Sequence, residues 1–270
     1  MTALVKSAPT NRLLQHEMQA IGRLQRRLLP RDVPRLPGWH FAISYMQSPW
    51  PGGDYYDFLP TPDGRIALLL ADASGHGGLA AVMMAQVRTV LHACPLTSGH
   101  SRGLFCPLSG TMAKPPALVL GHLNTVLEES SLDEQFMTAF YAVLEPASGR
   151  LHYAQAGHAP PYWWHASTAT AEPVPDMGGP PLGIGLPVVY AQGQVALQSG
   201  DVLVCASDGL MEAWNEREVF GASRLVAAIG EAAPHGAEVL KEHLICQLAQ
   251  FLTGTVPHDD VTLLIVQRLP

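Results

Sequence analysis

Four places in this 270-residue chain set an aspartate where an apolar stretch meets a loop. Asp54 follows two glycines in GGDYYDF, at the start of a predicted strand. Asp72 ends the apolar run RIALLLA and precedes the loop SGHGG. Asp208 ends DVLVCAS and is followed by Gly209, and Asp259 and Asp260 stand immediately before VTLLIV. A glycine at such a junction lets the backbone approach a ligand closely. Gathered carboxylates repel one another, and burying them is costly unless something compensates. Hard divalent cations are the usual compensation, because Mg²⁺ and Mn²⁺ take oxygen ligands in octahedral geometry and keep several waters. Two such ions sharing a carboxylate can acidify a water and clamp a phosphate oxygen. Taken singly, each aspartate reads equally as a turn or cap residue, and spacing alone does not bring them together.

The elements that must position these residues follow from the hydrophobic pattern. Residues 11–29 predict a helix, with Leu14, Met18, Ile21 and Leu28 at 4-3 spacing, Leu24 beside them, and Pro30 and Pro34 ending it. That stripe either packs on its own domain or serves as a linker or dimerisation helix. Residues 39–46 read as a first strand, and residues 65–71 as a buried one. Residues 79–91 and 117–129 read as helices around a loop rich in Pro, Gly and Ser. A hairpin is expected over residues 136–156 through the turn PASG, then a strand in PYWWH. Two strands joined by a tight turn at Ser199-Gly200-Asp201 come next, then helices near 223–232 and 237–252 and a final strand in VTLLIVQRL. Strands mostly in hairpins, with helices grouped in pairs, favour antiparallel sheets covered by helices over an alternating parallel fold.

Composition narrows the class. The chain is 47% hydrophobic and 14% charged, with a formal charge of −7, a balance that argues for a compact fold and against disorder. No basic run suggests a nucleic-acid partner; Arg23, Arg26 and Arg27 read as one solvated helix face. No apolar stretch approaches the ~18–20 residues that span a bilayer, and the first residues lack the apolar centre of a secretory signal, so a cytoplasmic protein with no membrane partner is expected. Of four scattered cysteines, Cys205 and Cys246 lie in apolar patterns and read as core residues. Cys94 and Cys106, near His92 and His100, are too widely spaced for an ordinary zinc site.

The series GGDYYDF, ADASGHGG, FMTAFYAVLEPASGRLHYAQAGHAPP, GGPPLGIG, LVCASDGLMEAWN and HDDVTLLIV resembles the PPM-type metal-dependent phosphatases. Its nearer branch is that of the stage II sporulation protein E-like phosphatases and related bacterial sigma-factor regulators. The resemblance keeps the family's motif order from about residue 24 to residue 268. It implies an α+β fold, a four-layer sandwich of two antiparallel sheets flanked by helices, over residues 35–270, preceded at 1–34 by a helical linker that dimerises or regulates. It implies two divalent cations, Mn²⁺ or Mg²⁺, held by Asp54, Asp72 as the bridge, the backbone carbonyl of Ala73, Asp208 and Asp259. Asp260 is a weaker ligand candidate that instead orients a neighbour or a water. The implied activity is direct hydrolysis of phosphoserine or phosphothreonine by a metal-bound hydroxide, with Asp72 and Asp208 central to it. The implied substrate is a phosphorylated regulatory protein such as an anti-sigma-factor antagonist.

The sequence departs from the family pattern in places. Animal-type members carry a histidine two residues after the bridging aspartate, where this chain has Ser74; His76 is the substitute candidate for a proton donor. Those enzymes also hold phosphate with an arginine upstream of the first metal acid, and residues 46–54 contain no Arg or Lys. Pro49 and Pro51 stiffen the turn before Asp54, and the insert at 95–116 has no counterpart. His158, in AGHAPP, contacts the site or fixes its loop, and His258 stands beside Asp259. Two other readings compete: a pseudophosphatase-like binding module that sequesters a regulatory partner, and a hydrolase of small phosphate esters. A complete acid set favours catalysis over the former.

Overall fold

The computed structural model describes residues 7–92, 113–130, 135–185 and 188–270. The chain opens with α1 (Ser7–Leu28), then β1 (Trp39–Met46), β2 (Tyr55–Pro60), β3 (Ile66–Ala73), α2 (Gly78–His92) and α3 (Pro116–Ser130). A run of strands follows: β4 (Met137–Glu145), β5 (Arg150–Ala156), β6 (Tyr162–His165), β7 (Thr170–Pro173), β8 (Gly193–Ala196) and β9 (Val202–Ala206). The chain closes with α4 (Asp208–Met211), α5 (Gly221–Ala232), α6 (Ala237–Leu252) and β10 (Val261–Arg268). The strands form two five-stranded sheets, β1-β10-β9-β6-β7 and β2-β3-β4-β5-β8, in which every paired strand is antiparallel. Helices α2 and α3 cover the second sheet, and α5 and α6 cover the first. This is the expected α+β sandwich of two sheets between helical layers.

Burial on both faces explains the sequence pattern. Strands β3 and β10 are covered by a helix on one side and by the opposite sheet on the other, so Ile66–Ala71 reads as an unbroken apolar run and Val261–Val266 as one interrupted only by Thr262. One apolar cluster fills the space between the sheets and under α2 and α3; a second lies under α5 and α6. No described helix is long and apolar enough to cross a membrane.

Local expectations are corrected in several places. The tight turn at Ser199-Gly200-Asp201 joins two strands as expected, but it carries the chain between sheets: β8 pairs with β5 in one sheet and β9 with β6 and β10 in the other. Asp201 fixes this change of sheet, since its carboxylate accepts the backbone N–H of Gln198 and Ala166 and the indole N–H of Trp163. The edge strand β7 was not foreseen, because its four residues carry no apolar alternation. Cys246 is exposed, whereas Cys205 is buried as expected. Cys94, Cys106 and His100 lie outside the described residues, as does the insert from 95 to 112.

Helix α1 begins at Ser7, and its stripe divides. Met18, Ile21 and Leu28 are half-buried, with Met18 and Ile21 lying against Gly78 at the start of α2, while Leu14 and Leu24 are exposed. The helix is therefore packed on its own domain along only part of its apolar face.

Candidate metal centre and active site

The antiparallel register brings the candidate carboxylates to one end of the sandwich. Tyr55 pairs with Ala71, which sets Asp54, just before β2, beside Asp72 near the end of β3. Leu263 pairs with Ala206, which sets Asp259 and Asp260, just before β10, beside Asp208 after β9. The sheets meet at this end through Thr262, whose hydroxyl donates to Asp54 across the sandwich. Asp208 is the first residue of α4, a single turn that the sequence reading missed. Its motif DGLM is too short to show helical periodicity.

Close packing against carboxylates and backbone makes glycine necessary at three positions; a Cβ on Gly52 would lie 1.7 Å from Asp260 Oδ2. A Cβ on Gly53 would lie 2.3 Å from the Ala73 carbonyl oxygen and 2.7 Å from Asp72 Oδ1. A Cβ on Gly209 would lie 2.0 Å from the Asp260 carbonyl oxygen. The loop before Asp54 is tied down from three sides: Ala73 N–H donates to Gly53 O, Gly77 N–H to Pro51 O, and the Gln25 side-chain amide of α1 to Gly52 O at 2.7 Å.

The electrostatics record the crowding. Burial pushes the Asp54 carboxyl well above the ordinary range, with Asp260 and Asp208 adding repulsion and hydrogen bonds from Thr262 and Ser207 opposing it. Burial pushes Asp72 up to about 10, helped by repulsion from Asp54, Asp208, Asp259 and Asp260. Asp208 is raised by burial, then by Asp259 and Glu212, and is held down by hydrogen bonds from Gly209 N–H and the Asp72 carboxyl. Among the described residues no three Asp, Glu, His or Cys side chains close into a finished ligand set, and each carboxylate held near the others makes ionisation of its neighbours more costly. The donors that converge are all oxygens, and the Ala73 carbonyl faces them from β3. Such a set suits a hard divalent cation rather than a softer metal.

Asp260 differs from the other four. It is 1% exposed. Its Oδ1 accepts the Ser48 N–H at 2.8 Å and its Oδ2 the Tyr45 hydroxyl at 2.9 Å. One oxygen thus holds the loop before Asp54 through Ser48, and the other the end of β1 through Tyr45. Among residues that sequence reasoning did not single out are Tyr45, Ser48, Ser207 and Thr262, which hold the carboxylates in place. Thr262 carried a signal, as a lone hydroxyl inside the apolar run VTLLIV.

The histidines separate. His76 is exposed on the loop between β3 and α2, where Ser74 exchanges two hydrogen bonds with the Phe136 backbone. His258 is exposed and lines a small cleft with Asp208, Asp259 and Trp214. His158 is only 7% exposed, and its Nδ1 lies 2.9 Å from Thr138 Oγ1. Burial pulls its pKa down to about 4 against a weaker opposing pull from the Ala206 backbone, which keeps it neutral. His92, at the end of α2, pairs with the buried Asp57, which also accepts the Tyr55 hydroxyl.

A cavity of about 400 Å³ adjoins the carboxylate cluster, lined by Asp208, Glu212, Thr138, His158, Gln155 and Asp176 among others. Glu212, the residue after α4, lies four positions beyond Asp208 and shares its side of that turn; with the turn unreadable from sequence, nothing there singled it out.

Comparison with known proteins places this geometry. The family pattern described as Stage II sporulation protein E (SpoIIE) matches residues 62–269. The phosphoserine phosphatase RsbU of Bacillus subtilis is 27% identical over 255 residues, covering 94% of this chain and 71% of RsbU. The crystal structure of the RsbU and RsbW domains of a Mycobacterium tuberculosis protein superposes with a TM-score of 0.71 at 27% identity, over 90% of this chain. This chain spans 63% of that structure. The SiaA PP2C domain of Pseudomonas aeruginosa shares the fold with a TM-score of 0.77 at 19% identity, covering 97% of this chain and 99% of that domain.

Proposed function

The chain belongs to the stage II sporulation protein E family, as a PP2C-type phosphatase domain, and on that premise we propose that it is a metal-dependent phosphatase of phosphoserine and phosphothreonine in a regulatory protein. The observation that carries this reading is the convergence of Asp54, Asp72, Asp208 and Asp259 from four chain segments at one end of the sandwich, in surroundings that burden the anionic form of Asp54, Asp72 and Asp208. We assign those four side chains and the Ala73 carbonyl to two cations, Mn²⁺ or Mg²⁺, with Asp72 shared. When bound, the cations supply Lewis acidity toward a water and the phosphoryl oxygens. Asp260, with both oxygens engaged, we assign to positioning: through Ser48 it holds the loop that presents Asp54, and through Tyr45 the end of β1.

The protein's own part is orientation and proton supply. Thr262 and Ser207 donate to Asp54, which keeps its oxygens fixed and anionic once a cation is present. The leaving serine or threonine oxygen needs a proton; His76 remains the candidate for it, exposed on the loop that follows Asp72. No Arg or Lys occupies residues 46–54, so phosphate binding there depends on the cations.

Residues 1–34 act as a regulatory segment in this reading and residues 35–270 as the phosphatase domain. Helix α1 reaches the site loop directly, through Gln25 to Gly52 and Arg26 to Gln47. Gln25 Oε1 and Gln47 Nε2 are buried there without partners, which weakens the seam. Exposed Leu14 and Leu24 offer a second copy an apolar strip, so dimerisation through residues 11–29 would act on the loop that bears Asp54. The substrate, by analogy with regulatory phosphatases of this family, is a cytoplasmic phosphorylated regulator of the anti-sigma-factor-antagonist kind. Metal-dependent phosphate release from a phosphopeptide, and its loss in Asp208→Ala, tests the reading.

A further inference from the structure

We infer that the cavity beside Asp208 is a subsite that reads a cationic side chain flanking the phosphorylated residue, with Asp176 as its specificity determinant. The inference rests on the phosphatase reading and deepens it. The cavity shares Asp208 with the carboxylate cluster, and its lining residue Thr138 pairs in register with Asp72. A phosphoryl group held by the cluster therefore places its neighbouring residues at the cavity mouth. At about 400 Å³ the cavity stands at the lower end of the range for ligand pockets and has room for a flanking side chain rather than a folded domain.

Its chemistry selects the charge. Asp176 and Glu212 line it together with Asp208, and among the described residues no lysine or arginine does. Once Asp208 serves a cation, Asp176 and Glu212 still face the cavity, so an anionic side chain is repelled and a lysine or arginine attracted. Asp176 stands on the loop between β7 and β8, outside the set assigned to the metals, and its Oδ1 accepts the Gly178 N–H at 2.8 Å. The wall is built before any ligand arrives. Gly157 N–H donates to Gly179 O at 2.9 Å, and Gln155 receives Met177 N–H at 3.0 Å while its amide reaches His158 O at 3.4 Å. Those bonds tie the loop after β5 to the Asp176 loop, so little ordering remains to be done on binding.

The test uses the full chain with Mn²⁺ and phosphoserine peptides that differ only by Lys or Glu at one flanking position, each position scanned in turn. 4-Nitrophenyl phosphate, which has no flanking residues, is the control, and fluorescence anisotropy of non-hydrolysable phosphonate peptides gives a binding readout. Wild type should prefer lysine at one position by about five-fold or more in kcat/KM, mainly through KM, as one partly exposed charge pair allows. Asp176→Lys should abolish or invert that preference in both kinetics and anisotropy, with turnover of 4-nitrophenyl phosphate within about two-fold of wild type. Wild-type indifference to flanking charge at every position, with metal-dependent hydrolysis intact, overturns the subsite and leaves the phosphatase reading standing. A preference that survives Asp176→Lys overturns it equally. A folded wild type that hydrolyses no substrate with any metal overturns the phosphatase reading and the subsite with it.

Discussion

Replacing Asp72 by asparagine should stabilise the metal-free protein. The Asp72 carboxyl is raised from 3.8 to about 10, first by burial and then by repulsion from the surrounding aspartates. A carboxyl whose folded pKa is raised contributes stability fully below its unfolded pKa, and that contribution is lost as pH rises toward the folded one. At pH 7 the folded state must hold a proton that the unfolded chain has released, a cost of about 4 kcal/mol at 1.36 kcal/mol per pH unit above 3.8. Relaxation of the site lowers that figure, so roughly 2–4 kcal/mol is the expectation. Asparagine keeps the shape and can donate to Asp208 as the protonated acid does. In EDTA at pH 7, Asp72→Asn should therefore melt above wild type by roughly 5–15 °C for a domain of this size. The gap should close as pH falls below 3.8, to about pH 3, where the carboxyl is protonated in both states. Added Mn²⁺ should stabilise the wild type by about 2.7 kcal/mol at a hundred times Kd, raising its melting temperature, and leave the variant unmoved. Scanning calorimetry across pH reads all three. A variant that melts at or below wild type in EDTA at pH 7, or a gap that persists unchanged at about pH 3, refutes the claim that the site stores carboxylate strain for a cation.

Other expectations follow from the same geometry. His158, held neutral with a pKa of about 4 against 6.5 unfolded, should cost the fold up to about 3 kcal/mol as pH falls from 6.5 to 4. Urea titrations of His158→Gln should lack that component of the acid limb, and an identical pH profile would refute it. Gly209→Ala drives a Cβ to 2.0 Å from the Asp260 carbonyl, so it should lose about 1–3 kcal/mol in urea unfolding and turn over at least about ten-fold more slowly; wild-type values for both would contradict the packing described. Deletion of residues 1–30 should alter oligomeric state, turnover or both, by light scattering and phosphate release. Should both stay unchanged, the regulatory role of α1 fails.

Much of the fold was legible because burial leaves a plain mark on sequence. β3 and β10 carry long apolar runs because each lies between a helix and the opposite sheet, and the β4–β5 hairpin announces itself in PASG. What stayed hidden depended on partners distant in the chain. Nothing in residues 193–206 says that β8 and β9 belong to different sheets; the three hydrogen bonds that fix Asp201 include two from residues more than thirty positions away. Cys246 sits in an apolar pattern yet faces solvent, because α6 buries a different stripe, Leu240, Leu244 and Leu248. At the site, the aspartates were visible as strand-end carboxylates, and the resemblance supplied their grouping. The second layer was not visible: Tyr45, Ser48 and Thr262 are ordinary strand and turn residues until the sheets pack. Asp176 and Glu212 likewise gain meaning only from the cavity they share.

The most direct test of the central claim is phosphate release from a phosphoserine peptide by the wild type and by Asp208→Ala, each with Mn²⁺, with Mg²⁺ and with EDTA. The account predicts release by the wild type with a divalent cation, none in EDTA, and a fall of at least about a thousand-fold in the folded variant. Release that persists in EDTA, or that survives in Asp208→Ala, would contradict it.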